Sequence, residues 1–151
     1  MLSAFDMKKT KNTLLISYID NCDYESALKE ISENKNISIN KKCEFGWCIL
    51  HLAIQKENCP LSLIEKIISY PDFNVNKKDS IGTSYLFEAA SAGRIDIVSV
   101  LLGVPGIDLD ARNHAELTAL DVCRIKSRHK IARLINEKKS SMILNNVKIV
   151  L

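Results

Sequence analysis

The pair of residues best suited to chemistry in this 151-residue chain is a thiol and an imidazole three positions apart, Cys48 and His51. Residues at this spacing share one face of a helix, and a helix N-terminus lowers the pKa of a thiol. A cysteine nucleophile beside a histidine base would have this arrangement. The sequence offers no oxyanion donor and no third group to orient the histidine. A cysteine-dependent enzyme or modifier is therefore kept as the alternative interpretation.

The other reactive side chains do not form a recognisable site. Asp108 and Asp110 could act as paired carboxylates, but the run that precedes them, Gly103 to Gly106, is typical of a loop. That run lacks the remaining glycines and the lysine of a phosphate-binding loop. His114 and His129 have no partners at metal-ligand spacing. We expect no metal and no cofactor.

The cysteines indicate a reducing environment. The chain has five, which is an odd number, at irregular spacing: Cys22, Cys43, Cys48, Cys59 and Cys123. This pattern does not resemble a disulfide framework, and no Cys-x-x-Cys pair suggests zinc. We therefore predict free thiols and an intracellular location.

Composition limits the classes of partner. The hydrophobic content of 46% and charged content of 26% are ordinary for a globular chain. A net charge of +3 is too small by itself to indicate nucleic-acid binding, although a basic scaffold for an anionic ligand is a further alternative. The first nine residues lack the apolar core of a signal peptide, and no stretch is apolar enough to span a bilayer. We expect no membrane insertion and no nucleic-acid partner.

The elements that carry these residues repeat along the chain. Three segments share a pattern, and their matching leucines, Leu50, Leu86 and Leu120, are spaced 86 − 50 = 36 and 120 − 86 = 34 residues apart. A weaker copy places Leu15 at the same position, 50 − 15 = 35 residues earlier. A sustained period of this length indicates a stacked array.

These segments resemble the Thr-Pro-Leu-His-x-Ala-Ala motif that starts the first helix of an ankyrin repeat. The copies are Gly46 to Ile54, Asp79 to Gly93 and Thr118 to Cys123. The resemblance to the ankyrin-repeat family covers residues 8–139. It implies an all-α repeat solenoid of about four stacked helix-turn-helix repeats with short hairpin fingers.

The repeats predicted from this resemblance and from the hydrophobic periods span residues 8–40, 41–76, 77–110 and 111–139. They form one domain, 1–139, followed by a C-terminal tail, 140–151. The predicted helix pairs are 14–21 with 25–33, 50–57 with 61–69, 84–92 with 94–102, and 118–126 with 128–137. Glu116 occupies the position of the finger glycine in the last repeat, which puts that hairpin in question.

Family members are mostly non-enzymatic modules that bind another protein across the fingers and the inner face of the first helices. In the second repeat the resemblance implies contacts at Lys42, Glu44, Phe45, Trp47, Gln55 and Lys56. In the third it implies Lys78, Ser80, Ile81, Thr83, Ser91 and Ala92, and in the fourth Arg112, His114, Ala115, Leu117, Ile125 and Lys126. Cys48 and His51 fall in the Thr and His positions of the motif, where the histidine normally makes structural hydrogen bonds.

Two features of the predicted contact surface suggest how a partner would bind. Phe45 and Trp47 flank Gly46, and we expect Trp47 to be exposed as an anchor, because exposed tryptophan is enriched in binding hot spots. Lys42, Lys78 and Arg112 precede successive fingers, and stacking would align them. Such a stripe would either attract an acidic partner or only solvate the surface.

The tail contains Met142, Ile143, Leu144 and Val147, which is too apolar for a free segment. We expect it to fold back over the last repeat, with dimerisation and peptide binding as alternatives, and we expect a monomer. The biological role is interpreted as that of a regulatory or inhibitory adaptor, or of a bacterial effector delivered into a host cell.

Overall fold

The computed structural model describes residues 11–43 and 45–150. Their regular elements are all helical, apart from one isolated β-bridge between Lys78 and Ser84. The helices are α1 (Lys11–Asp20), α2 (Tyr24–Glu33), α3 (Ile49–Gln55), α4 (Leu61–Ile68), α5 (Tyr85–Ala92), α6 (Ile95–Gly103), α7 (Ala119–Ile125) and α8 (His129–Val150). The all-helical repeat solenoid predicted from the sequence is confirmed.

Two layers of helices build the solenoid. Each first helix contacts the next first helix, so that α1, α3, α5 and α7 stack in order. The second helices α2, α4, α6 and α8 stack in the same way. Apolar side chains at helical spacing fill the space between the layers, and in the third repeat Leu86, Ala89, Val98 and Leu101 are buried as predicted.

Local sequence sets where these helices begin and end. The Ser84 hydroxyl accepts the N–H of Phe87, which satisfies one of the free donors at the start of α5. Gly93 ends α5 with a left-handed backbone, φ 75°. Cys22 and Ser127 adopt the same backbone region at the corresponding turns, with φ 57° and 54°.

The prediction for the C-terminal tail is wrong. The helix predicted to end at residue 137 continues as α8 to Val150, and residues 140–149 are all exposed rather than folded back. Neither glycine nor proline follows Ile135 to stop the helix. Ile131 and Ile135 are buried against the array, and Lys139 forms an ion pair with Asp110, so contact with the repeats ends where the apolar tail begins.

The hairpin in question at Glu116 does form. Glu116 adopts the left-handed conformation, φ 61°, that Gly46 and Gly82 adopt in the two preceding fingers. The turn is imposed by Asn113, whose Oδ1 accepts the N–H groups of Ala115 and Leu117. A short side-chain acceptor of this kind mimics a backbone turn and outweighs the poor fit of glutamate.

Asparagines fix the loops that connect one repeat to the next. The amide of Asn40 donates to the carbonyl oxygen of Asp72, and its oxygen accepts the N–H of Asn74. Asn76 makes the equivalent pair with Gly106 and Asp108. Because both ends of each amide bind backbone, the loops are held in register along the array.

Candidate interaction surface

In the part of the chain that the structure describes, three fingers project from the array, each closed by a backbone hydrogen bond. The bonds run from Cys43 to Trp47, from Asp79 to Thr83, and from Asn113 to Leu117, donor first. Consecutive fingers are also joined: the N–H of Ser80 donates to the Gly46 carbonyl, and the N–H of His114 to the Ile81 carbonyl, both at 3.0 Å. The fingers therefore form one continuous hydrogen-bonded edge.

The fingers stack too closely for side chains at two of their turns. A Cβ atom at Gly46 would lie 2.4 Å from the side chain of Ser80, and one at Gly82 would lie 2.7 Å from the ring of His114. Glycine is thus required here by the close approach as well as by its positive φ. Ser80 and His114, two predicted contact residues, pack on the preceding finger and are also exposed.

The predicted basic residues have a role that the sequence did not indicate. The ammonium of Lys42 donates to the carbonyl oxygen of Asp79 at 3.0 Å, and that of Lys78 to the carbonyl oxygen of Arg112 at 2.8 Å. Arg112 binds within its own finger, to the carbonyl oxygen of Glu116 at 2.7 Å. The lysines tie successive fingers together through backbone carbonyl oxygens, which carry no net charge.

The fingertips carry an apolar row. Phe45, Ile81 and Ala115 each precede the positive-φ residue of their finger, and we call these three residues the fingertip row. Phe45 is 79% exposed, Ile81 is 61% exposed, and Ala115 is exposed. Large apolar side chains this accessible on rigid turns are suited to bury against a partner.

Three predicted contact residues are less accessible than expected. Trp47 is half-buried and packs against the core, so the expectation of an exposed tryptophan is not met. Thr83 is only 2% exposed, and its carbonyl oxygen contacts the His51 ring, so its side chain is not on the surface. Leu117 is half-buried, and Glu44 lies outside the described residues.

The first helices add polar groups beside the fingers. Gln55 is exposed on α3, whereas the predicted contact Lys56 forms an ion pair with Asp20 at 3.1 Å. Glu88 on α5 was missed by the sequence analysis. Burial raises the pKa of its carboxyl group, and a hydrogen bond with Gln55 opposes that shift. The sequence distinguishes Glu88, because it is charged where the equivalent positions of the neighbouring repeats hold the apolar residues Leu52 and Val122.

A basic side chain also supports the end of α3. The guanidinium of Arg94 donates to the carbonyl oxygens of Lys56, Glu57 and Cys59, at 3.3, 3.3 and 3.0 Å. It also forms an ion pair with Asp96 at 2.8 Å. Carbonyl oxygens just after the C-terminus of a helix attract cations, so Arg94 joins the third repeat to the turn between α3 and α4 of the second.

Cys48 and His51 are engaged in structure. The His51 Nδ1 lies 3.4 Å from the Cys48 backbone N–H, its Nε2 lies 2.9 Å from the Thr83 carbonyl oxygen, and its ring centre is 4.3 Å from that of Tyr85. Both residues are buried, and burial raises the pKa of the Cys48 thiol and lowers the pKa of His51. A protonated thiol and an imidazole with both nitrogens occupied do not form the nucleophile–base pair first considered.

Other kinds of site find no support in the described residues. Among residues 11–43 and 45–150, no group of three or more His, Cys, Asp or Glu side chains is placed to hold a metal ion. Over the same part of the chain, no helix is both long and apolar enough to cross a membrane.

A comparison with protein families matches residues 15–113 to ankyrin repeats, in three copies. A search of curated proteins found no match. Ankyrin repeats are generic protein–protein interaction modules. The matched region includes the first two fingers, the exposed Phe45 and Ile81, and the structural histidine, and it covers well over half of the chain. The chain belongs to the ankyrin-repeat family.

Proposed function

We propose that the chain binds a partner protein on the fingertip row and the adjoining surface of α3 and α5. The observation that carries this proposal is the exposure of Phe45 and Ile81 on fingers that are hydrogen-bonded to each other. Such side chains would be desolvated by a partner without first having to be ordered. A rigid surface loses little conformational entropy on binding, which favours affinity.

The partner is acidic where it meets the fingers. Lys42 and Lys78 each donate to a neutral carbonyl oxygen, so each keeps a positive charge beside the fingertip row. Arg112 is exposed and continues the same line. Charges of this kind mainly speed association with a partner of opposite sign.

The module acts inside a cell, as an adaptor that tethers its partner or as an inhibitor that covers the partner's active site. Free thiols at Cys48, Cys59 and Cys123, all buried, suit a reducing compartment. Delivery into a host cell as a bacterial effector is the specific form of this role suggested by the family resemblance and the Lys-, Asn- and Ile-rich composition.

The test is to isolate the partner from a cell lysate and measure its affinity for variants. Phe45→Ser combined with Ile81→Ser should weaken binding by about tenfold or more, chiefly through faster dissociation, because both anchors lose their apolar surface. Ile149→Ser is the matched control, since Ile149 is equally exposed but lies at the far end of α8. Equal affinity of the fingertip variant and the control would refute this binding site.

A second pair of variants tests the charge of the partner. Lys42→Gln with Lys78→Gln removes both charges but keeps side-chain donors for the neighbouring carbonyls. Association should slow and become less sensitive to salt, while dissociation changes little. Unchanged association kinetics at low salt, in a protein with an unchanged melting temperature, would rule out an acidic contact at the fingers.

A further inference from the structure

The last two turns of α8 carry an apolar face with nothing covering it in the described chain. Ile143 and Leu144 are each 63% exposed, and Val147 is 53% exposed. In contrast, Ile131 and Ile135 in the first two turns are buried against the rest of the array. The helix is long enough, at about 33 Å, for its two halves to have separate surroundings.

This exposed face points away from the solenoid. At 100° per residue, Ile143, Leu144 and Val147 centre about 150° around the helix from the buried pair Ile131 and Ile135. It is therefore not a continuation of the face that packs on the array. Ser140 lies on the same outward side, as does the shallow groove lined by His129, Arg133 and Asn136.

Charges flank this face in a self-complementary way. Lys148 is the only charged residue between Ser140 and Val150. Glu137 lies about three turns earlier on the same flank of the helix, because 148 − 137 = 11 residues is close to a whole number of turns. Both side chains are exposed. Glu137 Oε1 already pairs with Arg133 Nε of the same helix at 2.8 Å, and its second carboxylate oxygen remains for a charge on a neighbouring helix.

We propose that two copies of this chain pair through α8, antiparallel, with the two-fold axis between residues 143 and 144. In this register Ile143 packs on Leu144 of the second copy, and the small Ser140 lies opposite Val147. Lys148 of each copy lies within side-chain reach of Glu137 of the other. An interface related by a two-fold axis makes every such contact twice.

The geometry favours the antiparallel arrangement over the parallel one. In antiparallel helices the flank that carries Glu137 and Lys148 faces the same flank of the other copy, so the opposite charges meet. In parallel helices each Lys148 lies at the same height as the other Lys148, far from either Glu137. One helix thus supplies the apolar face, the small residue opposite the large one, and both charges, which is why a second copy is the fitting occupant.

The pairing goes beyond the proposed function and does not depend on it. The fingers do not take part in the contact, so a dimer would present two fingertip rows. The inference differs from the monomer expected from the sequence. Because the contact involves only a few turns of one helix, we expect an affinity on the order of micromolar.

The experiment measures the mass of the protein by sedimentation over concentrations from about 0.05 μM to about 500 μM, a range that brackets a micromolar affinity. The wild type should shift from monomer to dimer. Leu144→Glu should stay monomeric while its helical circular dichroism and melting temperature remain those of the wild-type monomer. A wild type that stays monomeric throughout, or a Leu144→Glu protein that still dimerises, would overturn the proposal.

Charge exchange tests the register. Glu137→Lys alone and Lys148→Glu alone should each weaken dimerisation, because each homodimer then brings two like charges together twice. An equimolar mixture of the two variants should dimerise more strongly than either one, because both pairs are opposite in sign in the mixed dimer. No gain in the mixture would overturn the antiparallel pairing.

Discussion

The Nε2 atom of His51 lies 2.9 Å from the carbonyl oxygen of Thr83, which belongs to the next repeat. Its Nδ1 lies 3.4 Å from the backbone N–H of Cys48 and must accept that proton. The geometry therefore assigns the imidazole proton to Nε2, which donates to Thr83. One neutral ring thus links the start of α3 to the following finger, and a doubly protonated ring would lose the bond from Cys48.

We predict that His51 makes the fold acid-sensitive. Burial lowers the pKa of His51, so the unfolded chain binds the proton first as the pH falls. Its contribution to stability is therefore present above the ordinary histidine pKa of about 6.5 and is lost as the pH falls from there toward the lowered value. Urea denaturation at neutral and mildly acidic pH should show this loss.

His51→Gln is the variant that isolates the effect. It should cost about 1–3 kcal/mol at neutral pH, since at least one buried partner is left unsatisfied. Its stability should depend less on pH than that of the wild type over the interval in which His51 titrates. If both proteins lose stability equally on acidification, other groups cause the sensitivity.

Glu116→Gly should stabilise the last finger. Glu116 is held at φ 61°, a conformation that costs a non-glycine residue about 1–2 kcal/mol. Part of the gain is offset by the greater freedom of glycine in the unfolded chain, so we expect a net increase of about 0.5–1 kcal/mol in the free energy of unfolding. Gly82→Ala should do the opposite, because the added Cβ would meet the ring of His114. A lower free energy of unfolding in Glu116→Gly than in the wild type would show that the backbone of Glu116 is not strained.

The repeats could be predicted from the sequence because their signals are local and periodic. Leu50, Leu86 and Leu120 recur at the repeat length, and the apolar stripe of α6 follows the helical period. The last helix was predicted too short. Apolar residues at helical spacing indicate a buried face, but they do not show whether another part of the chain covers that face. The hydrogen bonds of Lys42 and Lys78 could not be predicted. Their acceptors are backbone carbonyl oxygens of the next repeat, and these have no sequence signature.

Two isoleucines of α6 should contribute differently to stability, because one is buried and the other is not. Ile97 is fully buried, whereas Ile95 is 41% exposed. Ile97→Ala should cost about 2–5 kcal/mol through lost burial and a cavity. Ile95→Ala should cost far less, about 0.5–1 kcal/mol, in the same denaturation experiment. Similar losses in the two variants would mean that α6 is not packed as described.

Glu88 should weaken the fold at neutral pH. Burial raises the pKa of its carboxyl group, so the folded chain holds the proton more tightly than the unfolded chain. The cost of ionising Glu88 in the fold is absent below the ordinary glutamate pKa of about 4.3 and grows as the pH rises through the raised value. Glu88→Gln should therefore raise the melting temperature at pH near 7 and change it little near 4.

The control for Glu88 is Glu65→Gln, which removes the same charge from an exposed position on α4. Its effect on the melting temperature should be small at both pH values, because the carboxyl group of Glu65 is not taken out of water. The amide introduced by Glu88→Gln could keep the contact with Gln55, so the gain would come from relief of desolvation rather than from a new bond. An equal response of the two variants would show that overall charge, and not the burial of Glu88, sets the pH dependence.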